Sequence, residues 1–297
     1  MDQFFELLIS GLSIGFVYAL IVLGFALIFK ASRVINFAHG SVLLIGVYVI
    51  AKTQPDLGFV PAVLIGMASA AVVALLIQVI LIRRVRGGAS ADVLTILTLG
   101  VNIVLATEMT RRIGDSVLPI GDPWRDRIVH LGSLAIPQAR VAAAAVAIVL
   151  LLAFVAVFRF SDWGLAMRSA AEDGETAALM GIRLGRVAAG VWALAGGLAA
   201  IGGIFLTTFP TPGVDANVGL VALAAFPAAV LGGLDSVAGA VVGGLVIGVV
   251  VTLVGGYQSD IAFLGRGLQD VAPYVVMLLV LLVRPSGLFG TRELPRV

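Results

Sequence analysis

Residues Gly11 to Gly15 read GLSIG, the G-x-S-x-G spacing that puts a serine nucleophile on a tight strand-to-helix turn within reach of a histidine base. This copy lies inside a long uncharged run, where two glycines four residues apart suit close helix packing instead. Nucleotide chemistry lacks its groups as well. A phosphate-binding loop needs Gly-Lys followed by Ser or Thr, and the only lysines, Lys30 and Lys52, follow Phe29 and Ala51. The two histidines, His39 and His130, are far apart and cysteine is absent, which argues against a closed metal centre, a disulfide or a thiol nucleophile. The chain is expected to hold no catalytic residue, no metal and no cofactor.

Two stretches place polar groups where hydrocarbon is expected. In INFAHG (Ile35 to Gly40), Asn36 and His39 stand at i, i+3, and Asn36 and Gly40 at i, i+4, so all three can share one helix face. An amide and an imidazole in lipid need partners and face a bundle interior or a wet cavity. They either fix helix packing or line a path for a solute; composition does not separate these readings. In FPAAVLGGLDSVAGAVVGGLVIG, Gly239/Gly243 and Gly244/Gly248 are G-x-x-x-G pairs. Gly232, Gly233 and Asp235 mark a break of the kind found in discontinuous membrane helices, whose open backbone ends contact polar solutes. Packing and solute contact remain open together here, with Asp235 expected in the connecting turn.

The elements that position these groups are membrane helices. Of 297 residues, 60% are hydrophobic and only 12% charged, against about 25% charged in soluble domains. Leu7 to Phe29 and Leu57 to Ile82 carry no charge, and each exceeds the roughly 20 residues that cross a bilayer. Apolar segments at 4–29, 34–50, 57–82, 91–108, 141–158, 187–209, 218–234, 237–256 and 268–283 predict an all-α polytopic integral membrane protein with eight or nine transmembrane helices. Some of these, notably 34–50 and the Pro227–Gly232 region, are expected to be broken or re-entrant. The acidic start MDQFFE is unlike the basic start of a cleaved signal peptide. A net charge of +2, with scattered arginines, sets nucleic acid aside as a partner.

Two hydrophilic segments interrupt the pattern. Residues 111–140, with Pro123, Trp124 and Pro137, predict an external loop with little regular structure. Residues 159–186 interleave Ala, Leu and Met with Arg168, Glu172, Asp173 and Glu175, which predicts one or two short amphipathic helices punctuated by Gly174 and Gly181. With 159–186 placed in the cytoplasm, twelve of the nineteen Lys and Arg fall inside and seven outside, which predicts an outer N-terminus and a cytoplasmic C-terminus. The remaining intramembrane polar residues, Gln78, Asn102 and Glu108, are expected to satisfy neighbouring groups.

Four stretches in order, GFALIFKASRVINFAHGSVLLIGVY, GLAMRSAAEDGETAALMGI, FPAAVLGGLDSVAGAVVGGLVIGV and RPSGLFG, resemble the H-type membrane permeases of branched-chain amino-acid ABC importers, nearly end to end. The resemblance implies a single transmembrane permease domain, 1–297, in a bacterial inner membrane. Its implied partners are an M-type permease subunit, two cytoplasmic ATPase subunits that hydrolyse ATP-Mg, and an external substrate-binding protein, with membrane lipid around the bundle. Residues Arg168, Ala170, Ala171, Glu172, Asp173 and Gly181 match an ATPase-coupling loop, from whose general pattern Gly174 departs. Asn36, His39, Gly40, Gly232, Gly233 and Asp235 are candidates for the translocation path. Relatives that import urea, short amides or other amino acids share these motifs. A stand-alone secondary transporter or channel would need intramembrane carboxylates or coordinating carbonyls, and the predicted helices offer chiefly Glu108.

Overall fold

The computed structural model describes residues 2–85, 87–124, 127–131, 134–208, 212–260 and 267–290. The chain is helical almost throughout, as its apolar runs require. Among the described residues, six helices are long and apolar enough to cross a membrane: Gln3–Ser32, Phe59–Val85, Ala91–Ile113, Gln138–Phe160, Leu184–Leu206 and Val237–Gly256. These belong to α1 (Asp2–Ser32), α3 (Phe59–Leu76) with its continuation, α5 (Ala91–Ile113), α6 (Gln138–Phe160), α9 (Leu184–Leu206) and α12 (Val237–Gly256). The continuation of α3 is a π-helical segment, Ile77–Ile82, closed by the single turn α4 (Arg83–Val85). Among them stand α2 (His39–Leu57), α13 (Leu268–Val283) and a crossing split into α10 (Val218–Leu223) and α11 (Phe226–Gly232). The interruptions expected near residues 34–50 and 227–232 are thus real breaks in helix.

Local chemistry sets the ends. Ser90, Ser161 and Ser236 each turn a hydroxyl back to an amide in the first turn of the helix that follows, satisfying a donor that would otherwise lack a partner. Gly58, at φ +82°, separates α2 from α3 in a backbone conformation that costs other residues energy.

α1 and α9 form the centre, each 78% buried over its apolar window, against 17% for α5 and 22% for α6. Close backbone approach holds the centre together. A methyl group on Gly11 or Gly15 would strike α12 at Val249 or Leu245, and one on Gly244 would strike Ala19 of α1. GLSIG is therefore a packing face, matched by Gly244 and Gly248. The other glycine pair of α12, Gly239/Gly243, faces α11 at Gly232 and Ala228. One helix thus presents small residues to two neighbours, which suits lipid, where helix association depends on packing because the surrounding tails are as apolar as the side chains.

The segment 111–140 is more ordered than its composition predicts. α5 runs on to Ile113, α6 starts at Gln138, and β1 (Ile128–Leu131) pairs antiparallel with β2 (Leu134–Pro137) in the register Ile128↔Pro137 to Leu131↔Leu134. Two four-residue, mostly apolar runs, IVHL and LAIP, separated in sequence by Gly132 and Ser133, carried this signal. The loop is tied down further by backbone bonds between Leu118 and Val214 at 2.8 and 2.9 Å and by the Trp124 ring against Phe59 and Phe205.

Candidate functional site

Two clusters gather the polar residues singled out in the sequence. The first is the break between α1 and α2. Ile28 closes α1 by accepting the Ser32 hydroxyl, Arg33 takes φ +55°, and the chain turns back so that His39 lies against Gly24, its ring 4.6 Å from that of Phe25. α5 staples the turn. Thr98 Oγ1 accepts from the Phe37 amide at 3.1 Å and donates to the Ile35 carbonyl at 2.9 Å, and the Ile35 amide reaches Thr95 Oγ1 at 3.3 Å. One turn on, Ser41 donates to Asn102 Oδ1 at 2.7 Å, so Asn102 does satisfy a neighbour. Asn36 uses its Oδ1 on the Ala38 amide at 3.1 Å. Asn36 Nδ2 and His39 Nε2 are buried and make no hydrogen bond among the described residues. Gly40 lets the α2 backbone close on the Gly219 carbonyl of α10.

The second cluster lies where α1 ends and the segment 159–186 folds back on the bundle. That segment forms two helices, α7 (Asp162–Glu172) and α8 (Gly174–Leu179). The division falls at Asp173, one residue before the glycine that predicted it, because Asp173 caps α8: Oδ1 accepts from the Glu175 and Thr176 amides at 3.0 and 3.1 Å, and Oδ2 from the Thr176 hydroxyl at 2.7 Å. Gly181, at φ +87°, follows the end of α8. Arg168 donates to the Phe158 carbonyl and lies 5.4 Å over the Phe158 ring, which Lys30 approaches to 5.8 Å. A cavity of about 360 Å³ separates this segment from the α11–α12 turn, lined among others by Lys30, Arg33, Arg168, Glu172 and Asp235. Ala171 lines it too, and Ala170 packs on the core.

Gly232, Gly233 and Asp235 belong to this second cluster and not to the Asn36 break. The carbonyls of Leu231 and Gly232 accept from the amides of Leu288 and Phe289 at 2.8 and 3.0 Å, so the RPSGLFG close seals the end of α11. Phe226 links the clusters, its ring 5.7 Å from Phe25 and 5.5 Å from Phe37. Glu108 is held by Arg111 and Arg112 at 2.8 and 2.6 Å on an exposed helix face.

Several contributors were not singled out in the sequence. Thr95 and Thr98 are two of them, and with Asn102, noted above, they repeat at helical spacing along α5, a polar stripe that pointed to a polar neighbour. Leu179 and Met180, at the end of α8, are 88% and 80% exposed, which α8 and its cap make visible. At the opposite end of the bundle, Arg140 donates to the Ser10 hydroxyl beside a cavity of about 170 Å³ that Glu6 and Thr252 also line.

This architecture is that of a multi-pass α-helical membrane protein with an amphipathic segment folded under the bundle. Over residues 7–282 the chain matches the family described as branched-chain amino acid transport system / permease component, and it belongs to that family. It is 31% identical over 313 residues to the high-affinity branched-chain amino acid transport system permease protein LivH of Salmonella typhimurium, covering 99% of this chain and 98% of that protein. LivH of Escherichia coli is also 31% identical, over 310 residues with the same coverage. BraD of Pseudomonas aeruginosa is 29% identical over 320 residues, again with 99% and 98% covered. The chain is accordingly a transport permease component.

Proposed function

We propose that this chain is the membrane-spanning permease of an ATP-driven importer that carries branched-chain amino acids across a bacterial inner membrane. ATP-Mg is hydrolysed on two separate cytoplasmic subunits. An M-type permease completes the membrane part, and an external binding protein delivers the solute. The whole chain acts as one permease domain, with its N-terminus outside and its C-terminus in the cytoplasm.

The observation that carries the reading is the 159–186 segment, joined to a family match over nearly the full chain. A short capped helix that holds Leu179 and Met180 out into solvent supports docking into a groove on a partner. The helix before it, α7, is fixed to the bundle by Arg168 at Phe158 and faces Lys30 and Asp235 across the cavity. Closure of the ATPase pair would move this segment as a rigid body and shift the helices that flank it. Arg168, Ala170, Ala171, Glu172, Asp173 and Gly181 serve coupling. Asn36, His39 and Gly40 contact the solute, and the Gly232, Gly233 and Asp235 turn closes the cytoplasmic end of the path. Around Asn36 and Gly40 this route has an amide among apolar neighbours such as Phe25, Phe37 and Phe226, which suits a passage that must also release its solute.

The test is co-purification of the tagged chain in mild detergent, followed by uptake of radiolabelled leucine and urea into proteoliposomes of the complex. ATP-dependent accumulation of leucine is expected. Uphill accumulation by this chain alone would overturn the reading.

A further inference from the structure

Three buried polar groups have no hydrogen-bond partner in the arrangement above. Asn36 Nδ2, Gln78 Oε1 and Trp192 Nε1 make no hydrogen bond among the described residues, although the three residues are only 1%, 2% and 0% exposed. Two are donors and one is an acceptor. They come from three separate elements: the α1–α2 break, the π-helical segment after α3, and α9.

Helix packing sets all three at one level. His39 and the Ala195 carbonyl both lie beside Gly24, and Asn36 and Trp192 stand three residues before His39 and Ala195. On the antiparallel pair α3 and α9, a methyl on Gly196 would meet Ala74, and Gly185 sits beside Arg83. Four residues on from Ala74, and four back from Gly196, are Gln78 and Trp192. On the antiparallel pair α2 and α3, Gly46 sits against Ala70 and Gly66 against Ile50, a register that brings Ala38, the residue bonded to Asn36 Oδ1, level with Gln78. Val34, Ala38, Ile77 and Trp192 share one buried apolar cluster. Polar groups with no partner in such surroundings disfavour the conformation that holds them.

We infer that Asn36, Gln78 and Trp192 form a polar latch that is open in this conformation and closes in the alternate state of the transport cycle, Gln78 Oε1 then accepting from Trp192 Nε1 or Asn36 Nδ2. The inference rests on the permease reading for its two states. The π-helical segment supplies the slack, since π turns in helices mark local departures that collect at functional sites, and rewinding it to α geometry turns Gln78 about the axis of α3. The drive reaches it through α9, whose first residues close the 159–186 segment and whose Gly185 lies beside Arg83. Gln78 and Trp192 are positioning residues that set the balance between states without touching the solute, whereas Asn36 joins the latch to the solute path.

The test uses the complete transporter in proteoliposomes. Gln78→Leu keeps the volume and removes the acceptor. At wild-type abundance it is expected to lower leucine uptake at least tenfold while leaving the nucleotide-free thermal midpoint equal or higher, because the open latch loses a group with no partner. Gln78→Asn should recover part of the uptake. A second readout is independent of substrate. The difference in emission between the wild-type complex and one carrying Trp192→Phe isolates Trp192. That difference spectrum should shift to longer wavelength on trapping with ATP and vanadate, and should not shift in Gln78→Leu. Uptake by Gln78→Leu within twofold of wild type, a fall in its midpoint that parallels the loss of uptake, or the same Trp192 emission in both states would each overturn the latch. Should the complex fail to carry leucine yet show the ATP-dependent shift, the latch stands and the substrate assignment falls.

Discussion

The Lys30 ammonium donates to the main-chain carbonyl of Asp235, 3.3 Å away, and so joins the end of the first helix to a turn more than two hundred residues later, on the wall of a cavity shared with α7. Lys30→Met removes the donor and keeps the stem. The contact borders a wet cavity, so the cost in stability is expected at about 1 kcal/mol. The larger effect falls on transport: the complex should retain ATP hydrolysis while leucine uptake drops several-fold. Measuring both rates on one preparation checks the pair, and unchanged uptake per ATP would remove Lys30 from the coupling route.

Leu179 and Met180 are solvent-exposed, and replacing both with Asp should leave the fold within about 0.5 kcal/mol of wild type, as surface changes usually do. Docking to an ATPase should nevertheless fail. Size-exclusion chromatography of the variant should show a monodisperse permease stripped of its ATPase partners; retention of those partners would place the docking contact elsewhere.

Glycines within the bundle differ sharply in what a methyl would meet. Gly248→Val drives side-chain atoms into the backbone of α1 at Gly15 and should abolish stable membrane insertion of the folded chain. Gly100→Ala, on the open face of α5 with nothing within 4 Å, should be neutral or stabilising by roughly 0.5–1 kcal/mol, through helix propensity. Thermal midpoints in detergent, taken side by side, test the contrast.

Thr98→Val leaves the Phe37 amide and Ile35 carbonyl without their hydroxyl partner and should cost about 1–3 kcal/mol. Asn36→Leu and His39→Leu, in contrast, leave the staple intact. At normal abundance they are expected to reduce uptake tenfold or more, and normal uptake by the double variant would exclude this break from the path.

How far the sequence reached depended on the range of the interaction. Helix limits such as 237–256 and 268–283 follow from apolar length alone, and the capping residues Ser161 and Ser236 lie within a turn of the ends they fix. The break at Asn36 and the one at Gly232 were legible because a buried amide and paired glycines are costly in lipid without a reason. What each break packs against was not. The Thr98 staple lies some sixty residues from Phe37, and the bonds from Leu288 and Phe289 to the end of α11 join stretches separated by all of α12 and α13, so no local pattern carries them. The β1–β2 hairpin was missed for another reason: Pro123 and Pro137 weigh toward irregular chain, while the two mostly apolar runs that pair, IVHL and LAIP, are only four residues each. Gln78 was read as satisfying a neighbour, but its side-chain oxygen has no hydrogen-bond partner among the described residues, a state no spacing rule reveals.

The bonds from Leu288 and Phe289 also have a bearing on how the molecule is made. The hairpin of α11 and α12 leaves the ribosome with two carbonyls uncovered, and the groups that will cover them are translated only after α13. The bundle therefore cannot finish folding until α13 has been inserted and the chain behind it has come back to the membrane surface. Nonsense codons upstream of Leu288 should yield a protein that reaches the bilayer and is then degraded by quality-control proteases.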